Sequence, residues 1–334
     1  MRWAKPKLVA GGPEISVVVA VRDGEPHLAG SLHSVLGQDA VDLEVIVVDD
    51  GSSDKTREIL AALVRTEPRL SVLTQPAAGL TAALIRGCEA ARGDFIARQD
   101  VGDVSLAGRL ARQAGRLRGD PALAFVSTWC RALGPRGELL WEEAPTDAPG
   151  KTWQRLYEQR QGPPHHGSVM MRRDAYEKVG GYRSQFRVAQ DYDLWLRLAQ
   201  EGKLGIEEDF LYEFGIDEGG LSARFRTFQN EFAALARSSH DARAAGRSDR
   251  TVLERAELLS ERLSRGAGGR ALMTGSYLIG RCLLKKRDAR AVAYLRRAVI
   301  ARPTSARAWC SYLLGLVLLH GRPALHNGDG PRRS

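Results

Sequence analysis

Glu44-Val-Ile-Val-Val-Asp-Asp-Gly-Ser-Ser-Asp54 begins as an unbroken β-branched run and ends in acids and turn residues. A strand with one face in water alternates apolar and polar residues, whereas one covered on both faces reads as nearly continuous apolar sequence. Leu43–Asp49 is of the second kind. Gly51 permits the tight turn that follows, and Ser52, Ser53 or Asp54 can cap the next helix. Upstream, Ile15-Ser-Val-Val-Val-Ala-Val21 repeats the buried-strand pattern, and Leu28, Leu32, Val35 and Leu36 recur at helical spacing between the two runs. Downstream come a helix carrying Ile59, Leu60 and Leu63, a strand from Leu70 to Thr74, a helix from Leu80 to Ala91, and a strand Phe95-Ile-Ala-Arg98.

Strand alternating with helix predicts an α/β fold with a mostly parallel sheet flanked by helices. Ligands of such sheets bind at the carboxyl ends of the strands. Those ends carry Asp23 after the first strand, Asp49 and Asp50 after the second, and Asp100 and Asp103 after the Phe95 strand. Further along, Leu106–Arg118 reads as a helix and Ala124–Ser127 as a strand. The Gly- and Pro-rich stretch Gly134–Gly150 reads as a surface excursion, and Val169–Met171 as a strand. Asp191–Ala199 is an amphipathic helix with Leu194, Trp195 and Leu198 inward and Asp193 as a first-turn charge. Strand signals cease near Phe225. Ala291, Ala298 and Pro303 then stand at the offsets of one tetratricopeptide helix pair, with Trp309 opening the next unit.

The chain has 334 residues, 43% hydrophobic and 27% charged, enough for one large domain and a smaller one and too apolar for a disordered protein. Its 4 Cys make neither a disulfide framework nor a CxxC metal pair. No apolar run approaches the ~18–20 residues of a membrane span, and Met1–Lys7 lacks the apolar core of a signal peptide. Both features predict a cytoplasmic protein. The net charge of +9 is uneven: Asn230–Ser334 holds 20 Lys and Arg against 8 Asp and Glu. Such a surface attracts anionic partners, though no nucleic-acid module accompanies it, so no nucleic-acid partner is expected. No GxSxG, GxxxxGK[ST] or GxGxxG stands where those chemistries need it.

Five blocks in order resemble family 2 glycosyltransferases: Ser16–Glu25; Leu28 with Ser34–Gln38; Glu44–Asp54; Gly93-Asp-Phe-Ile-Ala-Arg-Gln-Asp100; and Gly180-Gly-Tyr182 with Gln190-Asp-Tyr-Asp-Leu-Trp-Leu-Arg197. The resemblance implies a GT-A-type domain over residues 13–225, preceded by a flexible N-terminus (1–12) and followed by an all-helical, basic extension (226–334). It implies an inverting transfer from a nucleotide-sugar, a UDP-sugar, to a hydroxyl of a glycan or lipid-linked acceptor. Val21, Asp23, Glu25, Asp49, Asp50, Arg98 and Asp100 would surround the nucleotide. One of Asp49 and Asp50 would cap a helix while the other faced base and ribose.

A departing diphosphate calls for a divalent cation, Mg²⁺ or Mn²⁺, on oxygen ligands, here Asp100 and Asp103. The family pattern Asp-x-Asp-Asp reads Asp100-Val-Gly-Asp103 in this chain, so Gly102 replaces the central carboxylate. Asp191, at a helix N-terminus, would be the general base, with Gln190 standing where the family has Glu. His166, or His165 beside it, would touch diphosphate or metal, and Trp195 the acceptor. The basic extension suits peripheral docking on an anionic inner leaflet. Gly102 and Gln190 also define a rival, a catalytically weak or inactive sugar-nucleotide-binding scaffold. A sugar-nucleotide pyrophosphorylase would need a Gly-rich basic loop that Val21–Glu25 lacks.

Overall fold

The computed structural model describes residues 12–145, 151–162, 164–218, 226–266 and 271–319. Nine strands form one mixed sheet: β1 (Ile15–Val21), β2 (Leu43–Asp50), β3 (Leu70–Gln75), β4 (Phe95–Asp100), β5 (Val104–Ser105), β6 (Leu123–Leu133), β7 (Leu139–Glu143), β8 (Met170–Arg172) and β9 (Lys203–Gly215). The order is β3-β2-β1-β4-β8-β6-β9-β5, with β7 paired to β6. The first four positions are parallel. β8 runs antiparallel to both its neighbours. The chain leaves β1 toward β2 and β3, then returns to place β4 on the other side of β1. That reversal opens a crevice at the carboxyl ends of β1 and β4. In register, Val21 pairs with Asp49 and Ala20 with Asp100, so the acids of β2 and β4 flank β1 across about two strand spacings, ~10 Å.

Side chains alternate between two cores, as a period of two requires. Ile15, Val17, Val19, Val45, Val47 and Phe95 pack on one face with α1 (Leu28–Leu36), α2 (Thr56–Thr66) and α4 (Arg109–Gly119). Val18, Ile46 and Ile96 pack on the other with α3 (Leu80–Ala90) and α7 (Gln190–Glu201). Between α4 and α7 lie α5 (Lys151–Tyr157) and α6 (Arg173–Lys178).

One expectation needs correction and one lies outside the described residues. Part of the supposed excursion Gly134–Gly150 is strand β7, since Leu139–Glu143 pairs with β6; residues 146–150 lie outside the described chain. The flexible N-terminus expected at 1–12 falls almost wholly outside it too. The chain forms two compact units, and α8 (Arg226–Ala244) and α9 (Arg250–Gly266) belong to the first, together with the sheet. The reason is apolar burial: Phe232, Leu235, Ala256 and Leu259 join the core that holds Trp195 and Phe186.

The second unit comprises Gly134–Trp141, Ile216–Arg224 and Gly268–Ser334. Its described helices are α10 (Ala271–Lys285), α11 (Ala291–Ala301) and α12 (Ala306–Leu319). Ala291 and Ala298 are buried there, and the Trp309 indole donates to the Pro303 carbonyl at 2.8 Å.

Candidate active site

The floor of the crevice is a pair of loops held together by backbone and side-chain hydrogen bonds. Asp23 accepts from the Ser53 amide at 2.7 Å, the Gly24 amide donates to Thr56 Oγ1 at 2.8 Å, and the Glu25 amide donates to Asp54 at 2.9 Å. The bonds from Ser53 hold the Asp23 carboxyl below its ordinary range. Gly51, at φ +75°, makes the turn with Ala77 packed too close for any Cβ. Asp49 is fully buried, accepting from the Ser52 amide at 2.9 Å and from Arg57 at 2.9 Å. Burial opposes its ionisation, but those bonds outweigh it and its pKa falls. Asp50, also buried, accepts from Gln75 and from the Ala78 and Gly79 amides at 2.7–2.8 Å.

The expected division between capping and nucleotide contact is therefore corrected. Both carboxylates shape loops, Asp49 before α2 and Asp50 before α3. Val21 is buried as well, leaving Asp23 and Glu25 as the exposed acids of this edge.

At the end of β4, Arg98 is wholly buried. Its guanidinium pairs with Asp100, donates to the Val18 carbonyl, and reaches His166 Nε2 at 3.3 Å. Arg98 is thus shielded from solvent. It is a fixed positive charge behind Asp100, whose side chain is 30% exposed to the crevice. Burial pulls the Asp100 pKa up, but the Arg98 charge beside it outweighs burial, so Asp100 stays ionised.

Asp103 turns the other way. It accepts from the Tyr212 hydroxyl at 2.8 Å and the Gly215 amide at 3.1 Å, and burial, then Asp100, push its pKa up to about 8. The Tyr212 hydroxyl also receives the Asp100 amide at 3.2 Å. Asp103 therefore anchors β9 instead of facing the crevice.

The opposite wall is the start of α7. Asp191 accepts from the Tyr192 amide at 2.8 Å and is half-buried. Its pKa is raised, first by burial and further by Asp100, and lowered by Arg98, so all three lie within one Coulombic neighbourhood. Thr81 Oγ1 donates to the Phe186 carbonyl at 2.8 Å, tying α3 to the loop that leads into α7. His166 is neutral, its pKa pushed down to about 3 by burial and by Arg98. Because Arg98 has no acceptor, His166 Nε2 must accept, and it also takes the Tyr182 hydroxyl at 2.7 Å.

Trp195, expected against the acceptor, is fully buried, stacked on Phe125 at 5.5 Å and edge-on to His166 at 5.9 Å. It supports His166 from below. Asp193 stands in the first turn of α7, as expected, but is buried. It forms a buried pair with Arg197, whose Nη1 also donates to the Val179 and Gly181 carbonyls.

Sequence reasoning missed Tyr212 and the buried Arg109. Arg109 donates to the Arg98 and Gly167 carbonyls and stacks over the Tyr212 ring at 4.6 Å. β9 carries a polar sequence without a clear strand signal, and nothing local marks Tyr212 as the partner of Asp103.

The residues present do not fit a resident divalent cation. Among the described residues no group of three or more His, Cys, Asp or Glu is placed to hold one. Asp100 is paired with Arg98, Asp103 is bonded to Tyr212 and Gly215, and position 102 offers no ligand.

A parallel sheet that reverses at β1 and β4, with acids facing a crevice from β4 and α7, defines a GT-A glycosyltransferase fold. The chain belongs to glycosyltransferase family 2. The family's pattern, described as Glycosyl transferase family 2, matches residues 16–180. EpsE of Bacillus subtilis (strain 168), a protein described as a glycosyltransferase, is 32% identical over 233 residues, covering 67% of this chain and 81% of EpsE. The fold is similar to residues 1–349 of S. aureus TarS in complex with UDP-GlcNAc (TM-score 0.54, 15% identity, 92% and 90% of the chains). It is also similar to the mannosyltransferase PcManGT from Pyrobaculum calidifontis in complex with GDP-Man and Mn²⁺ (TM-score 0.53, 20% identity, 92% and 85%). The protein is thus a transferase enzyme. No helix among the described residues is long and apolar enough to cross a membrane.

Proposed function

We propose that this enzyme moves a sugar from a UDP-sugar to a hydroxyl of a glycan or lipid-linked acceptor by direct, inverting displacement. The reading is supported by Asp100 at the end of β4, beside the topological switch point, and by Asp191, 91 residues further on at the start of α7, whose ionisation the Asp100 charge opposes. Asp100 has the exposed oxygen that a ribose or phosphate-bearing donor would meet. Asp191, kept more basic than an ordinary carboxylate by burial, takes the acceptor proton onto a carboxylate oxygen. As it does, the acceptor oxygen bonds to the anomeric carbon. The bond from that carbon to the diphosphate oxygen breaks, and UDP leaves with its electron pair.

A cleft of about 260 Å³ lined by Ser127, Thr128, Glu143, Arg155 and His165 suits the acceptor side. It is small beside the ~300–1,000 Å³ of sites that enclose whole ligands, which favours one sugar ring. Its link to the crevice is His165, whose titration feels Asp100.

The acceptor is proposed to lie at an anionic lipid surface. On α12, Trp309, Leu313, Leu314, Val317 and Leu318 are all exposed, at helical spacing. Residues 271–319 carry 9 Lys and Arg against one Asp. An apolar stripe among cations is the pattern of an interfacial helix.

The test of donor binding is thermal melting of the full chain with a panel of nucleotide diphosphate sugars. A bound donor at 100 times its Kd adds about 2.7 kcal/mol to the folded state, enough to raise Tm by several degrees. A panel without any shift overturns the donor reading. Binding without UDP release from any donor supports the scaffold reading, which Gly102 favours.

A further inference from the structure

We infer that this enzyme binds its nucleotide diphosphate without a protein-held divalent cation, and that Gly102 is the residue that sets this property. The inference rests on the donor reading above and goes beyond it.

Clustered carboxylates repel a diphosphate unless a cation lies between them, which is what a metal ion does in such a site. This crevice has been stripped of that need at three positions. At 102 there is no side chain, so that position offers no carboxylate oxygen. At 103 the carboxylate is drawn away from the crevice, held by the Tyr212 hydroxyl at 2.8 Å and the Gly215 amide at 3.1 Å. At 100 the remaining carboxylate is already neutralised by Arg98, which is fully buried and therefore cannot swing aside.

The local charge of β4's end is Asp100 against Arg98, close to zero. Arg98 supplies at a fixed point the positive charge that an ion would otherwise bring. His166, neutral and bonded to Arg98, adds none. A diphosphate meeting this wall is not repelled, and a hard cation meeting it finds one carboxylate that is already paired.

The turn itself leaves room for the missing group. Gly102 lies at φ +100°, and a Cβ built there meets nothing within 4 Å. A side chain at 102 would strain the backbone but would not collide, so a carboxylate can be restored where none exists.

Calorimetric titration of UDP into the full chain, in EDTA and then in 1 mM Mn²⁺, tests the inference on the wild type, Gly102→Asp and Gly102→Asn. Wild-type Kd should agree within about twofold between the two conditions. Gly102→Asp should bind UDP at least tenfold tighter with Mn²⁺ than with EDTA. Gly102→Asn, with equal backbone strain and no charge, should show no such gain.

A wild type whose UDP affinity rises tenfold or more with Mn²⁺ overturns the inference, whether or not the variants fold. Gly102→Asp that folds by circular dichroism yet gains nothing from Mn²⁺ overturns the assignment to Gly102. A wild type that binds UDP in neither condition, while the panel of other nucleotide sugars also fails, overturns the donor reading instead.

Discussion

Asp191, the proposed base, is set apart by where it sits. Its pKa is raised above the ordinary 3.8, chiefly by burial and then by the nearby Asp100. Only the ionised form can accept the acceptor proton, so turnover falls as pH drops through the raised value. The acid limb of kcat/KM, measured between pH 3.5 and 8, should lie clearly above pH 3.8. A limb at or below that value would show that Asp191 is not the base.

The same shift has a consequence for stability. A carboxyl that binds its proton more tightly in the fold than in the unfolded chain favours the fold below its unfolded pKa. That contribution is lost as pH rises through the folded pKa. Asp191→Asn should therefore melt at or above the wild-type temperature at pH 7; a drop of several degrees would contradict the sign.

At the scale of elements, α7 is fixed by the Asp193–Arg197 pair, both members under 4% exposed, and by the Arg197 bonds to the loop before it. Removing Arg197 leaves buried Asp193 only its longer contact with Arg183, at 3.7 Å, so the cost is about 3 kcal/mol, the lower end for breaking a buried pair. Arg197→Met should lower the urea-unfolding free energy by that amount, whereas a loss under ~1 kcal/mol would mean the pair is not needed to hold α7.

The i, i+4 spacing of Asp193 and Arg197 was visible in the sequence, yet it did not reveal burial, because the core that holds α7 is completed by α8 and α9, far along the chain. β1, β2 and β4 were legible because strands covered on both faces read as continuous apolar runs. β9 was not, because it is edged by polar residues such as Glu207, Glu208 and Asp209. Which acids face the crevice was also hidden. Asp50 is engaged by amides 28 and 29 residues away, and Asp103 by a tyrosine 109 residues away. The positions of Asp100 at a strand end and of Asp191 at a helix start, by contrast, were legible from local pattern.

For the whole molecule, the second unit offers a surface of its own. The exposed stripe of α12 and the cations around it should carry the chain upward with vesicles of phosphatidylcholine and phosphatidylglycerol in a flotation gradient, but not with phosphatidylcholine alone. Leu313→Ser with Val317→Ser should abolish flotation while leaving UDP binding intact. Equal flotation of both proteins would discard the docking. The enzyme's core claim is that acids from two distant segments meet over one donor, one binding and the other reacting. It is tested most directly by comparing UDP release from the donor that binds best in wild type and Asp191→Asn, alongside calorimetric UDP affinity. The account expects affinity within about threefold and turnover lower by ~10²–10⁴, the range for a lost general base. An Asp191→Asn enzyme that turns over within a few-fold of wild type would contradict it.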